Sequence, residues 1–74
     1  MEPCVIVDDI EGCPPIIVTP TTRARVVEEF GEYRLVVETD AGMSNEILLG
    51  ERSRAVADRI HSEVALLAAN QLAQ

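Results

Sequence analysis

Residues 23–39, Arg-Ala-Arg-Val-Val-Glu-Glu-Phe-Gly-Glu-Tyr-Arg-Leu-Val-Val-Glu-Thr, decide the fold. Two β-patterned runs flank Gly31-Glu32, and a glycine at the first central position suits a two-residue type II′ turn. This predicts a hairpin with strands at 23–30 and 33–39. The loop sets Phe30 opposite Tyr33, Glu29 opposite Arg34, Val27 opposite Val36, Val26 opposite Val37, Arg25 opposite Glu38 and Arg23 opposite Asp40. Opposite-charge, valine and aromatic pairs in one register are the cross-strand complementarity that stabilises a sheet, each pair contributing about 0.2–1 kcal/mol. A slip of one residue would turn every side chain to the wrong face.

Working outward, Asp40-Ala41-Gly42 supplies a second turn, and Ser44 to Leu49 a third strand, completing a meander over 23–49. From Glu51 the period changes. Val56, Ala57, Ile60, Val64, Leu67 and Ala68 recur at three- and four-residue spacing, which gathers them on one face of a helix over about 51–70. Gly50 ends the preceding strand, Arg54 with Asp58 and Arg59 with Glu63 are four-apart pairs, and Leu66 points away from the apolar face. Toward the N-terminus, Val5-Ile6-Val7 and Ile16-Ile17-Val18 stand among Asp8-Asp9, Gly12, Pro14-Pro15 and Pro20, so short strands are expected near 4–9 and 16–19. The expected architecture is α+β: an antiparallel sheet packed on one C-terminal helix, in one domain over 1–74.

Alternation places Ala24, Val26, Phe30, Tyr33, Leu35 and Val37 on one sheet face, with Ile47 and Leu49, to receive the helix. The opposite face carries Val27, Val36 and Leu48, edged by Arg25, Arg34, Glu38 and Glu46. One helix does not cover two faces. The N-terminal strands or another chain must cover the second, or it is left partly wet. A domain this small buries only about 60 % of the surface its unfolded chain exposes, so dimerisation is an economical supplement to its core. Val27, Val36 and Leu48 are therefore the candidate interface, with a second copy as the expected partner and another protein as the alternative.

The run Tyr33-Arg34-Leu35-Val36-Val37, followed by Asn45-Glu46-Ile47-Leu48-Leu49-Gly50 and a helix containing Ala57-Asp58-Arg59-Ile60, resembles the last strands and closing helix of bacterial pleckstrin-homology-like domains. The resemblance covers residues 23–70. It implies a seven-stranded barrel, whereas this chain has room for about five strands, and it carries over no ligand-contacting residue.

Charge excludes one partner class. Thirteen acidic side chains against six basic ones leave a net charge of −7, which repels a polyanionic backbone and provides no counterion release for nucleic-acid binding. No run approaches the roughly 18 apolar residues of a membrane span, and Met1-Glu2-Pro3 lacks a basic secretory start, so a soluble cytoplasmic chain without membrane partners is expected. In a reducing compartment Cys4 and Cys13 read as small apolar residues before a disulfide or metal ligands.

His61 is the sole histidine, at the border of the helix's apolar face, and the reading is a ring bonded to backbone or water. Asp8, Asp9 and Glu11 before Gly12 lack the ligand spacing of a calcium loop, and the four glycines form no phosphate loop or nucleophile elbow. Catalytic, cofactor and metal sites are accordingly expected to be absent. Arg52 and Arg54, in the first helical turn beside Ser53, run against the macrodipole; salt bridges to Glu51 or to acids on the sheet are the favoured reading, and a bound phosphate or carboxylate is the alternative. The leading reading is a non-catalytic, self-associating interaction or accessory module. An anion-binding regulatory module using Arg52, Ser53 and Arg54 is the alternative, and a small enzyme built on His61 comes third.

Overall fold

The computed structural model describes residues 3–39 and 42–72. Strands β1 (Val5–Val7) and β2 (Ile16–Val18) precede β3 (Arg23–Glu29), β4 (Glu32–Glu38) and β5 (Ser44–Leu48), and a 3₁₀ turn at Gly50–Arg52 leads into α1 (Ser53–Leu72). The class is α+β, with β3-β4-β5 forming one antiparallel sheet. The N-terminal strands pair with each other in a second sheet instead of extending the first, Val5 opposite Val18 and Val7 opposite Ile16.

The hairpin is present, but its register differs from the sequence expectation by two residues. Val26 lies opposite Leu35, Ala24 opposite Val37, Val27 opposite Arg34 and Glu29 opposite Glu32. The loop is Phe30-Gly31, with φ of 54° and 78°. Positive φ at both central residues is the type I′ turn, with glycine second rather than first. Because side chains alternate with period two, a shift of two leaves every strand residue on its expected face, and burial alone does not distinguish the registers. The charge pattern is equally forgiving. Arg25 reaches Glu38 at 3.2 Å as a diagonal neighbour, although Val36 stands opposite it. Arg34 pairs with Glu32 (3.9 Å) and Glu46 (3.6 Å) rather than with Glu29. The expected Arg23–Asp40 pair falls at a position outside the described residues, as do Asp40 and Ala41 of the second turn.

The core gathers Val7, Ile16, Val18, Ala24, Leu35, Val37, Val56, Ala57 and Ile60, with Val26, Ile47, Leu49, Val64 and Leu67 packed around it. Both sheets therefore bury their inner faces against α1. Phe30, expected on that face, is instead 94 % exposed in the turn, and Tyr33 lies at its margin. Along α1, burial fades: Ser53, Val56, Ala57 and Ile60 are buried, Val64, Leu67 and Ala68 half-buried, and 69–72 exposed.

Two tethers fix the N-terminal hairpin's loop to the helix. Arg59 binds Asp9 at 3.3 Å and Glu63 at 3.3 Å, and Arg52 donates to the carbonyl of Glu11. Gly12 permits this approach. Its φ of +75° suits glycine, and a Cβ there would lie 3.2 Å from the Arg52 guanidinium. No ion pair joins Arg54 to Asp58 among the described residues. The acidic loop is thus an anchor for two arginines.

Candidate functional site

The outer face of the meander is built by residues that alternate with the core. Its central strand presents Arg34, Val36 and Glu38. Arg25 and Glu46 flank Val36, and Val27 and Leu48 flank Arg34. Val27, Val36 and Leu48 are consequently interrupted by a guanidinium and do not form a continuous apolar row. Val36 is only 4 % exposed, enclosed on its face by four charged neighbours, while Val27 is half-buried and Leu48 is 63 % exposed. The N-terminal strands do not cover this face, since Val7, Ile16 and Val18 enter the core on the helix side. It is covered by its own ion pairs and left partly wet. Such solvent-exposed pairs contribute about 0–1 kcal/mol each.

The structure does not bring the three residues of the anion site together. Arg52 belongs to the 3₁₀ turn and lines a cleft with Asp9, Ile10 and Arg59. Arg54, in the first turn of α1, lines a different cleft with Val26, Tyr33 and Glu51. Ser53 is fully buried, and its Oγ has no hydrogen-bond partner. Arg52 is already engaged by the Glu11 carbonyl.

The remaining chemistry-bearing side chains have structural partners. His61 Nε2 lies 2.8 Å from the carbonyl of Ala24 on the edge strand β3, which requires a proton on that nitrogen and ties α1 to the sheet. Cys13 donates to the Pro14 carbonyl at 3.4 Å, and burial pushes its thiol up, partly offset by Arg52. Cys4, expected to be packed as an apolar residue, is exposed, because it precedes the first core-facing position of β1, and both thiols are free. Tyr33 donates to Glu28 opposite it, and that bond, with the carboxylate's charge, raises the phenol above its ordinary value. A cleft of about 470 Å³ runs between Pro14–Ile17 and Asn45–Ile47, and Glu46 is its one titratable wall residue. Among the described residues no group of three or more His, Cys, Asp or Glu side chains is arranged to hold a metal, and no helix is long and apolar enough to cross a membrane.

A further surface lies on α1, away from the core. Ala65, Leu66, Ala69 and Leu72 are exposed there, Leu66 by 59 % and Leu72 by 89 %. Their spacing of three and four residues makes one outer stripe. The signal in the sequence is the run from Val64 to Leu72, which contains no charged residue. It is masked by the inner-face periodicity of Val64, Leu67 and Ala68, which accounts for part of the same apolar content.

Compared with protein families, curated proteins and solved structures, the chain matches none.

Proposed function

We propose that the chain is a small, non-catalytic acidic domain that acts as a self-associating interaction or accessory module. The observation that carries this reading is the outer stripe of α1. A surface helix is ordinarily apolar toward its core and polar on the other side, yet this helix presents Leu66 and Leu72 to solvent on an otherwise charged chain. The engagement of His61, Cys13, Arg52 and Arg59 in contacts within the fold also supports a non-catalytic role. The alternative, an anion-binding regulatory module on Arg52, Ser53 and Arg54, draws no support from side chains that diverge into separate clefts. The likeness of residues 23–70 to pleckstrin-homology-like domains stands as a proposal about kinship, supported by the order of meander and helix. The test of function is the mass of the wild-type chain in solution: it should rise with protein concentration, and a monomer at every concentration would remove the reading.

A further inference from the structure

We propose that the free edge of β5 takes up an extended peptide as an added strand, with apolar side chains of the peptide in the cleft beside β2 and a basic one against Glu46. The inference goes beyond self-association and does not depend on it. It begins with the backbone groups that lack a partner strand. The two-residue Phe30-Gly31 loop makes Glu29 and Glu32 a hydrogen-bonded pair, and such pairs alternate along an antiparallel ladder. The backbone groups of Ala24 therefore point away from β4, which is where His61 meets the Ala24 carbonyl. Carried across the sheet, the same alternation bonds Leu35 to Ile47 and Val37 to Asn45, and it turns the N–H and C=O groups of Ser44, Glu46 and Leu48 to the outer edge. Among the described residues no strand pairs with that edge, and no backbone bond crosses from it to β2.

An open edge templates pairing with another chain, and proteins ordinarily cover or blunt it. The other edges of this fold are short or guarded. His61 of α1 caps β3, while β1 and β2 are three residues each and Pro14, Pro15 and Pro20 bracket β2. In contrast, β5 runs for five residues without proline, glycine or bulge, and its one charged side chain, Glu46, is drawn back onto its own sheet by Arg34 at 3.6 Å. Beside this edge lies the cleft of about 470 Å³, with Val37 and Ile47 between β5 and the wall formed by Pro14, Ile16 and Ile17. An edge with an adjoining apolar cleft provides both parts of strand addition: main-chain hydrogen bonds hold the peptide, and pockets for alternate side chains select it.

Parity fixes the chemistry of the guest. Peptide residues opposite Ser44, Glu46 and Leu48 bond to β5 and share the outer sheet face, whereas those opposite Asn45 and Ile47 face the cleft. The first set meets Glu46 on a chain of net charge −7, which favours a basic side chain, and the second meets Val37, Ile47 and Ile16, which favours apolar ones. A second copy fits this edge poorly. Twofold pairing of β5 with itself about Glu46 would set carboxylate against carboxylate and bring two acidic bodies side by side.

The probe is the capped peptide acetyl-Val-Arg-Val-Arg-Val-amide, titrated into the full chain labelled with nitrogen-15 and followed by its amide resonances. The amides of Ser44, Glu46 and Leu48 should shift and approach saturation by about 1 mM peptide. Methylating the two arginine backbone nitrogens, which face β5, should abolish binding, while methylating that of the central valine, which faces away, should preserve it. Leu48→Pro removes an outward donor without breaking the β4-β5 ladder and should abolish binding, its dispersed spectrum showing that it is folded. Glu46→Lys should weaken the arginine peptide roughly fivefold or more and favour its glutamate counterpart instead. Absence of shifts along β5 overturns the proposal, as does binding indifferent to arginine methylation or to Leu48→Pro, which would be attraction to acidic surface alone. Self-association that Leu48→Pro abolishes, with no peptide binding, assigns the edge to a second copy and overturns it as well. A wild type that binds the peptide while remaining monomeric upholds this proposal and removes self-association alone.

Discussion

Replacing Phe30 by asparagine should stabilise the protein, and the sign of the effect reports the hairpin register. Phe30 has φ of 54° and is 94 % exposed, so its ring contributes almost no burial while its backbone occupies the left-handed region. That conformation costs an ordinary L-residue about 1–2 kcal/mol, and asparagine is among the few that visit it routinely. Relief of part of this cost should add about 0.5–1 kcal/mol. For a domain of this size, with roughly 4–8 °C of melting temperature per kcal/mol, Phe30→Asn should melt about 2–8 °C higher. Thermal unfolding followed by circular dichroism at fixed, low protein concentration measures the shift without a contribution from association. Had the loop been Gly31-Glu32, Phe30 would be a strand residue paired with Tyr33, and asparagine there would lose a favourable cross-strand contact. A melting temperature that stays the same or falls refutes the type I′ turn and the register built on it.

Ile60 is fully buried, so Ile60→Ala should cost about 2–5 kcal/mol by lost transfer energy and cavity formation, against under about 1 kcal/mol for Arg59→Ala on the surface. Urea unfolding of both variants separates them, and equal losses would mean that the helix is rotated. A double-mutant cycle on Arg25 and Glu38 should give a coupling below about 1 kcal/mol, because both side chains are solvent-exposed and meet diagonally; a larger value would indicate a directly opposed, desolvated pair. Tyr33 should titrate above the ordinary phenolic range and return toward it in Glu28→Gln. Because folding raises this pKa, the bond's contribution to stability is complete below the ordinary phenolic value, about 10, and fades as pH rises through the folded value. Ultraviolet titration of the single tyrosine measures it, and a phenol unchanged by Glu28→Gln would refute the bond.

What the sequence discloses here is periodicity. The faces of β3 and β4, the inner face of α1 and the short N-terminal strands are all readable because burial imposes periods of two and 3.6 on many residues at once. What it conceals is anything settled by a few weak or degenerate terms. The hairpin register turned on one turn type, and the diagonal reach of Arg25 satisfies the same charge pattern in either alignment. Whether β1 and β2 extend the meander or stand apart depends on packing against α1, which no local pattern encodes. Val36 looked exposed because its parity is outward, but four charged neighbours enclose it. The divergence of Arg52 and Arg54 follows from the 3₁₀ turn at Gly50–Arg52, which rotates Arg52 toward Glu11.

The core joins β1 and β2 to α1. Val7, Ile16 and Val18 belong to the same cluster as Val56, Ala57 and Ile60, so β1 and β2 are sheltered only once α1, which follows them in the chain, has been made. Until then a nascent chain carries β-branched strands whose inner face has no cover. Pro14, Pro15 and Pro20, which bracket β2, deny hydrogen bonds to any stray strand that would pair there in the interval. The prolines that make these strands short also guard them during synthesis.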